Sequence, residues 1–505
     1  MSVRVRYAPS PTGSPHVGNI RTALFNHLFA KRHGGTHIVR IEDTDRARYV
    51  EGCEEEIFES LVYVGVEWQE GPDKGGDYGP YRQSERKEAG IYRPHIDTLL
   101  ESGAAYWAFD TSEELAEMRE YQQINKQPIG YYGGVWRDAP ASKAEEARSS
   151  GLPGVIRLKI PRDETIVIDD AIRGRVEISS NQVDDPVLIK ADGMPTYHFA
   201  AMVDDHLMGI THVFRGEEWI SSAPKHLVLI RALGWEPPVF VHVPVIKGKD
   251  GSKLSKRHGD TSCLDFRRGG YLGGALANFI ALIGWSPGGD REVMTMDEMA
   301  EAFDIDGIQP SPGVFDLDKL NWLNGHTIRQ CDTGDLAREV GEFCSTQENL
   351  DYWRAKDAPT AQAMGLLAST SAADPGYVAK AVALEQERVT NLAEFATACS
   401  FFFVDAPEMD QKAVDKWLGK PHVAEMLDEF AAFFQGKEST TIEECEGLLR
   451  DYQAKAGLEK LGPVVHPVRV ALTGKTVGPG LFELMALLGP ARIVARLSAA
   501  KRAYE

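Results

Sequence analysis

Hydrophobic and polar residues follow two different periods in the first part of the chain. Apolar residues at the odd positions of 3–7 alternate with arginines, which predicts a strand that leaves a hydrophobic core. Apolar residues then recur at helical spacing over 20–28, and glycines at 34–35 predict the end of a helix. A short apolar run over 38–41 predicts a second strand. Strand, helix and strand in this order form a βαβ unit, which implies a parallel sheet.

The next part of the chain mixes helical and strand patterns. Helical periodicity predicts helices over about 54–65 and 84–102. Short alternating segments between 155 and 214 predict strands, with Asp192-Gly193 at the tip of a hairpin. This change of pattern indicates an α+β insertion, after which the chain returns to the sheet.

From about residue 265 the strand signals fade and helical periodicity dominates. It is clearest through 377–403 and 423–434, and no repeat of fixed length is evident. We therefore predict a C-terminal half built from helical modules rather than from a repeat array.

Composition limits the class of protein. With 505 residues, 43% of them apolar, the chain has room for about three to five domains. No apolar run reaches about 18 residues, and the N-terminus carries arginines and prolines where a signal peptide needs an apolar segment. We expect a cytoplasmic protein with no membrane contact. The six cysteines form no C-x-x-C pair, so neither a disulfide framework nor a zinc knuckle is indicated.

The net charge of −20 argues against a general nucleic-acid coat. Any contact with phosphates must then come from local basic patches on an acidic body.

Two distant segments carry candidate phosphate chemistry. The first, 8–19, is a turn rich in small residues and prolines that runs into the predicted helix and aims backbone N–H groups and the helix dipole at one point, where His16 and Asn19 add donors. The second, Lys253–Arg257, follows two glycines and predicts a mobile loop that closes ammonium groups over a polyphosphate. Either segment alone is more often a plain loop or a solvated face. Their combination favours a nucleotide site.

Neither segment lies near a Ser/His/Asp order, a metal-ligand cluster or a pair of catalytic carboxylates in the sequence. A nucleotidyl transfer whose nucleophile is already a carboxylate needs no general base. It needs in-line positioning and neutralisation of the charge that develops on the phosphate.

Together these segments resemble the bacterial-type glutamyl-tRNA synthetases, a branch of the class I aminoacyl-tRNA synthetases. The resemblance covers essentially the whole chain. It rests on the segments Arg6–Gly13, His16–Gly18, Arg40–Asp45, Pro195–His198, Val203–His206, Arg215–Trp219 and Lys253–Arg257.

The resemblance implies an α/β, Rossmann-like catalytic domain with a parallel sheet and an α+β acceptor-binding insertion, followed by an all-helical C-terminal half. The expected boundaries are 1–84 with 193–252 for the catalytic domain, 85–192 for the acceptor-stem-binding insertion, 253–332 for a stem-contact domain with the lysine loop, and 333–408 and 409–505 for two helical anticodon-binding domains.

The resemblance also implies roles for individual residues. It makes His16, Lys253 and Lys256 catalytic. The residues expected to bind ATP are Pro9, Ser10, Pro11, Thr12, Gly13, His16, Gly18, Asn19, Lys253, Ser255, Lys256 and Arg257. Those expected to bind glutamate are Arg6, Ala8, Ser10, Glu42, Tyr197, Arg215 and Trp219.

The chemistry of the expected glutamate pocket agrees with its residue types. An arginine fork binds a carboxylate, and an acidic group such as Glu42 suits the α-ammonium group of the substrate. Selection by charge leaves a buried arginine badly paired with the amide of glutamine, so discrimination needs no editing. The alternatives stay open: Arg6 and Glu42 as a structural ion pair, and Tyr197 and Trp219 as ordinary core aromatics.

The implied reaction has two steps. The α-carboxylate of glutamate attacks the α-phosphate of ATP, with Mg²⁺, and pyrophosphate leaves. The adenylate then passes glutamate to a ribose hydroxyl of the terminal adenosine of glutamate tRNA.

Two positions depart from the family. Ala201 stands where some relatives place an asparagine that contacts the substrate. The segment Tyr106–Phe109 lacks the cysteines with which some relatives bind zinc, so we predict no structural zinc.

The helical C-terminal half distinguishes the bacterial type from glutaminyl and eukaryotic-type enzymes, which resemble β-barrels there. Arg388 falls where the family accepts or refuses the last anticodon base, and arginine favours an enzyme restricted to glutamate tRNA. Arg469, Thr473 and Leu481 lie in a second segment that resembles the anticodon-binding end, although a surface salt bridge is an equal interpretation of Arg469.

Three alternatives to a strict glutamyl enzyme remain from the sequence. One is a glutaminyl enzyme, another is a dual-specificity enzyme that also charges glutamine tRNA, and the third is a non-catalytic paralogue that binds tRNA. The intact His16, Lys253 and Lys256 argue against a scaffold, which needs neither phosphate motif. We expect the protein to be a monomer.

Overall fold

The computed structural model describes residues 2–255, 257 and 259–504. The chain forms two compact units. Unit 1 contains residues 1–264 and 276–316, and unit 2 contains residues 265–275 and 317–505.

The first 316 residues hold the described strands and half of the helices. The strands are β1 (Arg4–Tyr7), β2 (Thr36–Val39), β3 (Ala105–Ala108), β4 (Val155–Leu158), β5 (Thr165–Asp170), β6 (Gly174–Ser179), β7 (Val187–Ile189), β8 (His212–Gly216), β9 (Val239–Val243), β10 (Ile246–Lys247) and β11 (Gly313–Val314). The helices are α1 (Val17–Arg32), α2 (Cys53–Tyr63), α3 (Gln83–Glu88), α4 (Arg93–Glu101), α5 (Ser112–Ile124), α6 (Ala141–Ser149), α7 (Tyr197–Leu207), α8 (Ala223–Ala232), α9 (Cys263–Arg268), α10 (Gly273–Ala281) and α11 (Met296–Ala302).

The predicted parallel sheet is confirmed. β1 and β2 pair in parallel, and β9 pairs in parallel with both β5 and β8. β6 joins the far edge antiparallel to β5, which gives the order β6-β5-β9-β8. β1 lies beside β8, because the amide of Thr211 donates to the carbonyl oxygen of Arg4 at 2.9 Å. This contact joins the beginnings of the two strands, and further along them Arg6 donates to the carbonyl oxygen of Phe214 at 3.2 Å.

Within the expected insertion, β3, β4 and β7 form a separate antiparallel sheet, whereas β5 and β6 belong to the sheet that contains β8 and β9. Asp185 joins parts of the insertion. The Asp185 carboxylate accepts from the Tyr106 hydroxyl at 2.7 Å, the Ile160 amide at 3.1 Å and Arg162 at 3.1 Å, and it also pairs with Arg137. The predicted turn at Asp192-Gly193 is present, with Gly193 in the left-handed region at φ +79°.

One predicted helix is divided in two. The pattern over 84–102 predicts a single helix, whereas the structure has α3 and α4, separated by Gly90 at φ +74°. Pro94 lies in the first turn of α4, where its missing N–H costs no hydrogen bond. The apolar periodicity continues across the break, so periodicity alone could not reveal it.

The rest of the chain is helical, as predicted. Its helices are α12 (Leu317–Gln330), α13 (Thr333–Ser345), α14 (Gln347–Lys356), α15 (Ala358–Ala373), α16 (Pro375–Glu385), α17 (Leu392–Cys399), α18 (Gln411–Trp417), α19 (Pro421–Phe434), α20 (Ile442–Lys455), α21 (Gly462–Thr473) and α22 (Leu481–Tyr504), the last of which is kinked at Gly489. These helices share one hydrophobic core, which includes Val340, Phe395, Phe402, Phe430 and Leu497.

Arg496 supports the C-terminal part of this core. Its guanidinium is 1% exposed and donates to the carbonyl oxygens of Leu472, Phe401 and Val404 at 2.6 Å each. Burial lowers the pKa of Arg496 to about 10, which still leaves it charged at neutral pH. The side chain satisfies carbonyl groups at the end of α21 and after α17 that lack helical partners.

We expect Arg496→Leu to lower the free energy of unfolding by about 3 kcal/mol, because three buried carbonyl groups lose their donor. Urea unfolding of the full chain, followed by circular dichroism, measures the change. Arg502→Leu, on the exposed end of the same helix, is the control and should change it by less than about 0.5 kcal/mol. Equal stability of the two variants would contradict the role given to Arg496.

Candidate active site

The proline-rich turn is tied down by its backbone. The amide of Glu42 donates to the carbonyl of Pro9 at 2.9 Å, and the amide of Val50 donates to that of Pro11 at 3.0 Å. The turn ends at His16, whose extended backbone caps α1. Ser10, Thr12, Gly13 and Asn19 remain exposed around this helix start.

His16 is held in one tautomer. Its Nδ1 accepts from the Gly18 amide at 3.2 Å, so the neutral ring carries its proton on Nε2. Burial, together with the charge of Lys253, lowers the pKa of His16 and keeps the ring neutral. Among the described residues, the buried Nε2 has no hydrogen-bond partner. A donor is therefore left over beside the positive end of a helix.

The segment that follows the lysine loop is hydrogen-bonded to this turn. The Val17 amide donates to the carbonyl of Thr261 at 3.0 Å, and the Cys263 amide donates to that of Pro15 at 3.1 Å. Lys253 is exposed and close enough for its charge to act on His16. The two segments that are about 240 residues apart in sequence thus lie close together.

Ser255 and Arg257 of the lysine loop lie in different environments. Ser255 is half-buried, while Arg257 is exposed and pairs with Asp250 at 3.4 Å. Gly251, at φ +77°, makes the tight turn that precedes Lys253. Lys256 lies outside the described residues.

Arg6 and Glu42 belong to one buried ion network. Arg6 binds both oxygens of Asp205, at 3.0 and 3.4 Å, and Arg40 donates to Asp205 and to Glu42 at 2.8 Å each. Burial raises the pKa of Glu42, an effect that Arg40 and Arg6 oppose. Asp204 extends the network to Arg86, whose Nε lies 2.6 Å from its carboxylate. The positive charges of Arg6 and Arg40 are thus largely balanced by carboxylates of the protein itself.

Arg215 is different, because its partners are histidines. Its Nε donates to Nε2 of His242 and its Nη1 donates to Nδ1 of His226, both at 2.9 Å. Its Nη2 is buried and has no partner among the described residues. Desolvation lowers the pKa of Arg215, but an arginine remains charged at neutral pH. Both N–H groups on Nη2 of this buried cation therefore lack an acceptor among the described residues.

Tyr197 lies near both Arg215 and the buried ion network. Its ring lies 4.3 Å from that of Trp219, between centroids. Desolvation raises the pKa of its phenol, and the charges of Arg215, Glu42 and Arg6 all act on it. The structure thus brings together five of the residues predicted to bind glutamate. Ala8 lies half-buried directly after β1, and Ser10 is exposed at the turn.

Three buried residues around Arg215 were not predicted from the sequence: His226 and His242, which accept from its guanidinium, and Asp170, which pairs with His242. His242 stands in an otherwise apolar strand, where a buried polar residue is a signal for a specific partner. Nothing in the sequence connects it with Asp170, whose carboxylate lies 2.6 Å from its Nδ1.

The chain matches known proteins over almost its whole length. The family described as tRNA synthetases class I (E and Q), catalytic domain, matches residues 2–322, and an anticodon binding domain matches residues 347–501. The chain therefore belongs to the class I glutamyl and glutaminyl tRNA synthetases. The sheet ends, the His16 turn and the lysine loop of this synthetase all lie in the first of these regions.

Individual relatives agree with the family assignment. This synthetase is 45% identical over 509 residues to a glutamate-tRNA ligase of Acidothermus cellulolyticus, with 98% of this chain and 95% of the relative covered. It is 41% identical over 499 residues to glutamate-tRNA ligase 2 of Caldicellulosiruptor saccharolyticus, with 98% of each chain covered. A glutamate tRNA ligase of Elizabethkingia meningosepticum, solved in complex with its amino acid, superposes with a TM-score of 0.87 at 34% identity and full coverage of both chains.

The predicted anticodon residues lie in unit 2 of this synthetase. Arg388 is exposed and pairs with the buried carboxylate of Glu385 at 3.4 Å. The charges of Arg388 and Glu385 act on Arg469, which donates to the carbonyl of Pro479 at 2.6 Å. Thr473 and Leu481 are almost fully buried, and the Thr473 hydroxyl donates to the Arg469 carbonyl at 2.8 Å.

Two further observations concern metals and membranes. In residues 2–255, 257 and 259–504, no three His, Cys, Asp or Glu side chains are grouped so that they could hold a metal ion. No described helix is long and apolar enough to cross a membrane.

His198 provides a test of the geometry around Arg215. Its Nδ1 lies 3.0 Å from Nε2 of His226, and burial lowers its pKa to about 4. We expect its ring to stay neutral as pH falls through 6 and to gain a proton only near pH 4. Long-range ¹H–¹⁵N NMR of the histidine-labelled protein measures this, and His198→Gln identifies the signal. An ordinary midpoint near 6.5 would contradict the described burial.

Proposed function

We propose that this synthetase joins L-glutamate to the 3′ end of glutamate tRNA for protein synthesis, through a glutamyl-adenylate made from ATP. The observation that supports this proposal is a pair of buried donors that have no partner among the described residues: Nε2 of His16, which lies within reach of the charge of Lys253, and Nη2 of Arg215, whose charge acts on Tyr197. The first suits a phosphate and the second a carboxylate. The names of the relatives support the same substrate.

ATP is the substrate of the first step. We propose that the start of α1 and Nε2 of His16 donate to its phosphates, and that Lys253, with Lys256 from the sequence, neutralises the charge that develops there. Pro9 to Gly13, Gly18 and Asn19 shape the turn, and Ser255 and Arg257 flank the lysines. None of these groups has to take a proton, because the attacking carboxylate is already ionised.

Mg²⁺ accompanies ATP in this proposal as part of the substrate. The ion binds through phosphate oxygens and keeps several of its waters, so it suits a site that lacks a protein cage. We assign it no protein ligand, and we retain the prediction that the enzyme needs no structural zinc.

Glutamate occupies the pocket between Arg215, Tyr197 and Trp219. Arg215 offers the buried donor for a carboxylate, and Glu42 offers an acceptor for the α-ammonium group. Arg6, Ala8 and Ser10 complete the wall at the end of β1. Glutamine, which lacks the second carboxylate, would leave a buried arginine poorly paired. A ribose hydroxyl of the terminal adenosine of the tRNA then attacks the carbonyl carbon of the adenylate, an ester forms, and AMP leaves.

The tRNA is proposed to contact several parts of the chain. The expected boundaries stay as predicted from the sequence: 85–192 for the acceptor stem, 253–332 for a stem contact, and 333–408 with 409–505 for the anticodon. Arg388 and Arg469 are the anticodon contacts that the charge distribution of unit 2 supports. A cytoplasmic location and a monomeric state also stay predictions.

We expect Lys253→Ala to lower kcat/KM for ATP about 100-fold, because a charge next to the phosphates is lost. The measurement is aminoacylation of purified glutamate tRNA with labelled glutamate. Lys249→Ala is the matched control from the same hairpin, since Lys249 pairs with Asp316 at 2.8 Å. A wild-type protein that charges no tRNA with glutamate would refute the proposed function, whereas undiminished activity of Lys253→Ala would refute only the role of the loop.

We expect Arg388→Gln to reduce the preference for glutamate tRNA over glutamine tRNA about tenfold, because arginine and the amide pair differently with an unstacked base. The ratio of kcat/KM for the two tRNAs measures this preference. Lys380→Gln, an exposed change on α16, should leave the ratio as it is in the wild type.

The same assay decides between strict and dual specificity. Comparable charging of both tRNAs by the wild type would favour the dual-specificity alternative. Charging of neither would favour a tRNA-binding paralogue.

A further inference from the structure

Arg215 lies in the middle of a hydrogen-bonded chain of five side chains. The chain runs from Asp170 to His242 at 2.6 Å, from His242 to Arg215 at 2.9 Å, from Arg215 to His226 at 2.9 Å, and from His226 to His198 at 3.0 Å. These residues come from β5, β9, β8, α8 and α7, so the hydrogen-bonded chain links five elements.

The chain of contacts fixes where each histidine carries its proton. A guanidinium donates and never accepts, so Nε2 of His242 and Nδ1 of His226 must both be unprotonated acceptors. His242 then carries its proton on Nδ1, from which it donates a hydrogen bond to Asp170. His226 carries its proton on Nε2, from which it donates a hydrogen bond to Nδ1 of His198. Burial lowers the pKa of both His226 and His242, which favours these neutral forms.

The partners of Arg215 therefore orient its guanidinium without cancelling its charge. Arg6 and Arg40 each have a carboxylate within 3.0 Å. Among the described residues, no carboxylate lies within ion-pair distance of Arg215: Asp205 acts on it only through its charge, and Asp170 is separated from it by the ring of His242. A buried arginine that has only neutral acceptors keeps its attraction for an incoming anion.

We propose that His226 is a positioning residue for glutamate binding, which as a neutral acceptor holds the guanidinium of Arg215 in place and leaves its charge to the carboxylate of the substrate. The inference rests on the proposed function, since it takes glutamate as the ligand of Arg215. His242 does the same at Nε, with Asp170 holding its ring.

An acidic side chain at position 226 would also accept the hydrogen bond from Arg215, but it would weaken the binding of glutamate. It would accept the same N–H group with a stronger, charge-assisted bond, and it would compete with the carboxylate of glutamate for the one cation. Asparagine offers its amide oxygen near the position of Nδ1 of histidine, and aspartate has the same shape with one negative charge. The two variants thus separate a neutral acceptor from a charged one.

The experiment measures the KM for glutamate during charging of glutamate tRNA by His226→Asn and His226→Asp. We expect the asparagine variant to stay within about threefold of the wild type, and the aspartate variant to raise this KM about 10- to 100-fold, the size of a charge-assisted bond. The KM for ATP should not change in either variant.

The same pair of substitutions at His206 is the matched control. His206 is exposed on α7 and stacks on Trp235 at 3.8 Å, so its asparagine and aspartate variants should have the same KM for glutamate. Thermal unfolding shows whether each variant is folded.

Equal or lower KM for glutamate in His226→Asp than in His226→Asn would overturn the inference. If the aspartate variant does not fold, His226→Leu replaces it: loss of the acceptor should raise the KM for glutamate at least about tenfold relative to asparagine, and an unchanged KM would overturn the inference. A wild-type enzyme that does not use glutamate would instead overturn the proposed function.

Discussion

Buried charge governs the arrangement of the catalytic unit. Arg6, Arg40 and Arg86 face Glu42, Asp204 and Asp205 in a network whose members are all 5% exposed or less. Three positive and three negative groups balance, and removal of any one would leave an uncompensated charge in a dry interior. Because the arginines come from the sheet and from α3, and two carboxylates come from α7, the network also fixes how these elements pack.

Arg215, beside this network, is also a buried cation, but its hydrogen-bond acceptors are neutral. Where Arg6 has Asp205, Arg215 has two neutral histidines, so one arginine is neutralised by the fold and its neighbour is not. Arg215 is therefore a buried cation that neutral acceptors hold in a fixed position. In unit 2, Arg388 has a carboxylate partner, the buried Glu385, and burial raises the pKa of Glu385 to about 7.

Much of the fold was predictable because its signals are local. The βαβ unit, the turn at Asp192-Gly193 and the helical half all follow from periodicity or from residues with special backbone preferences. The break between α3 and α4 was not predictable, because apolar spacing continues across it. The residues of the candidate site were predicted from the sequence, but the contacts between them were not. The resemblance named Arg6, Glu42 and Arg215, but their different pairing did not follow from it.

The sequence by itself determined the family, the first βαβ unit and the helical C-terminal half, since each of these follows from short runs of neighbouring residues. Only the tertiary structure decided which charges are satisfied within the protein. Asp170, His226 and His242 contribute to one guanidinium from three separate elements, and hydrogen bonds between distant residues depend on distances of a few tenths of an ångström. Such distances are set by the packing of the whole sheet and not by any local pattern.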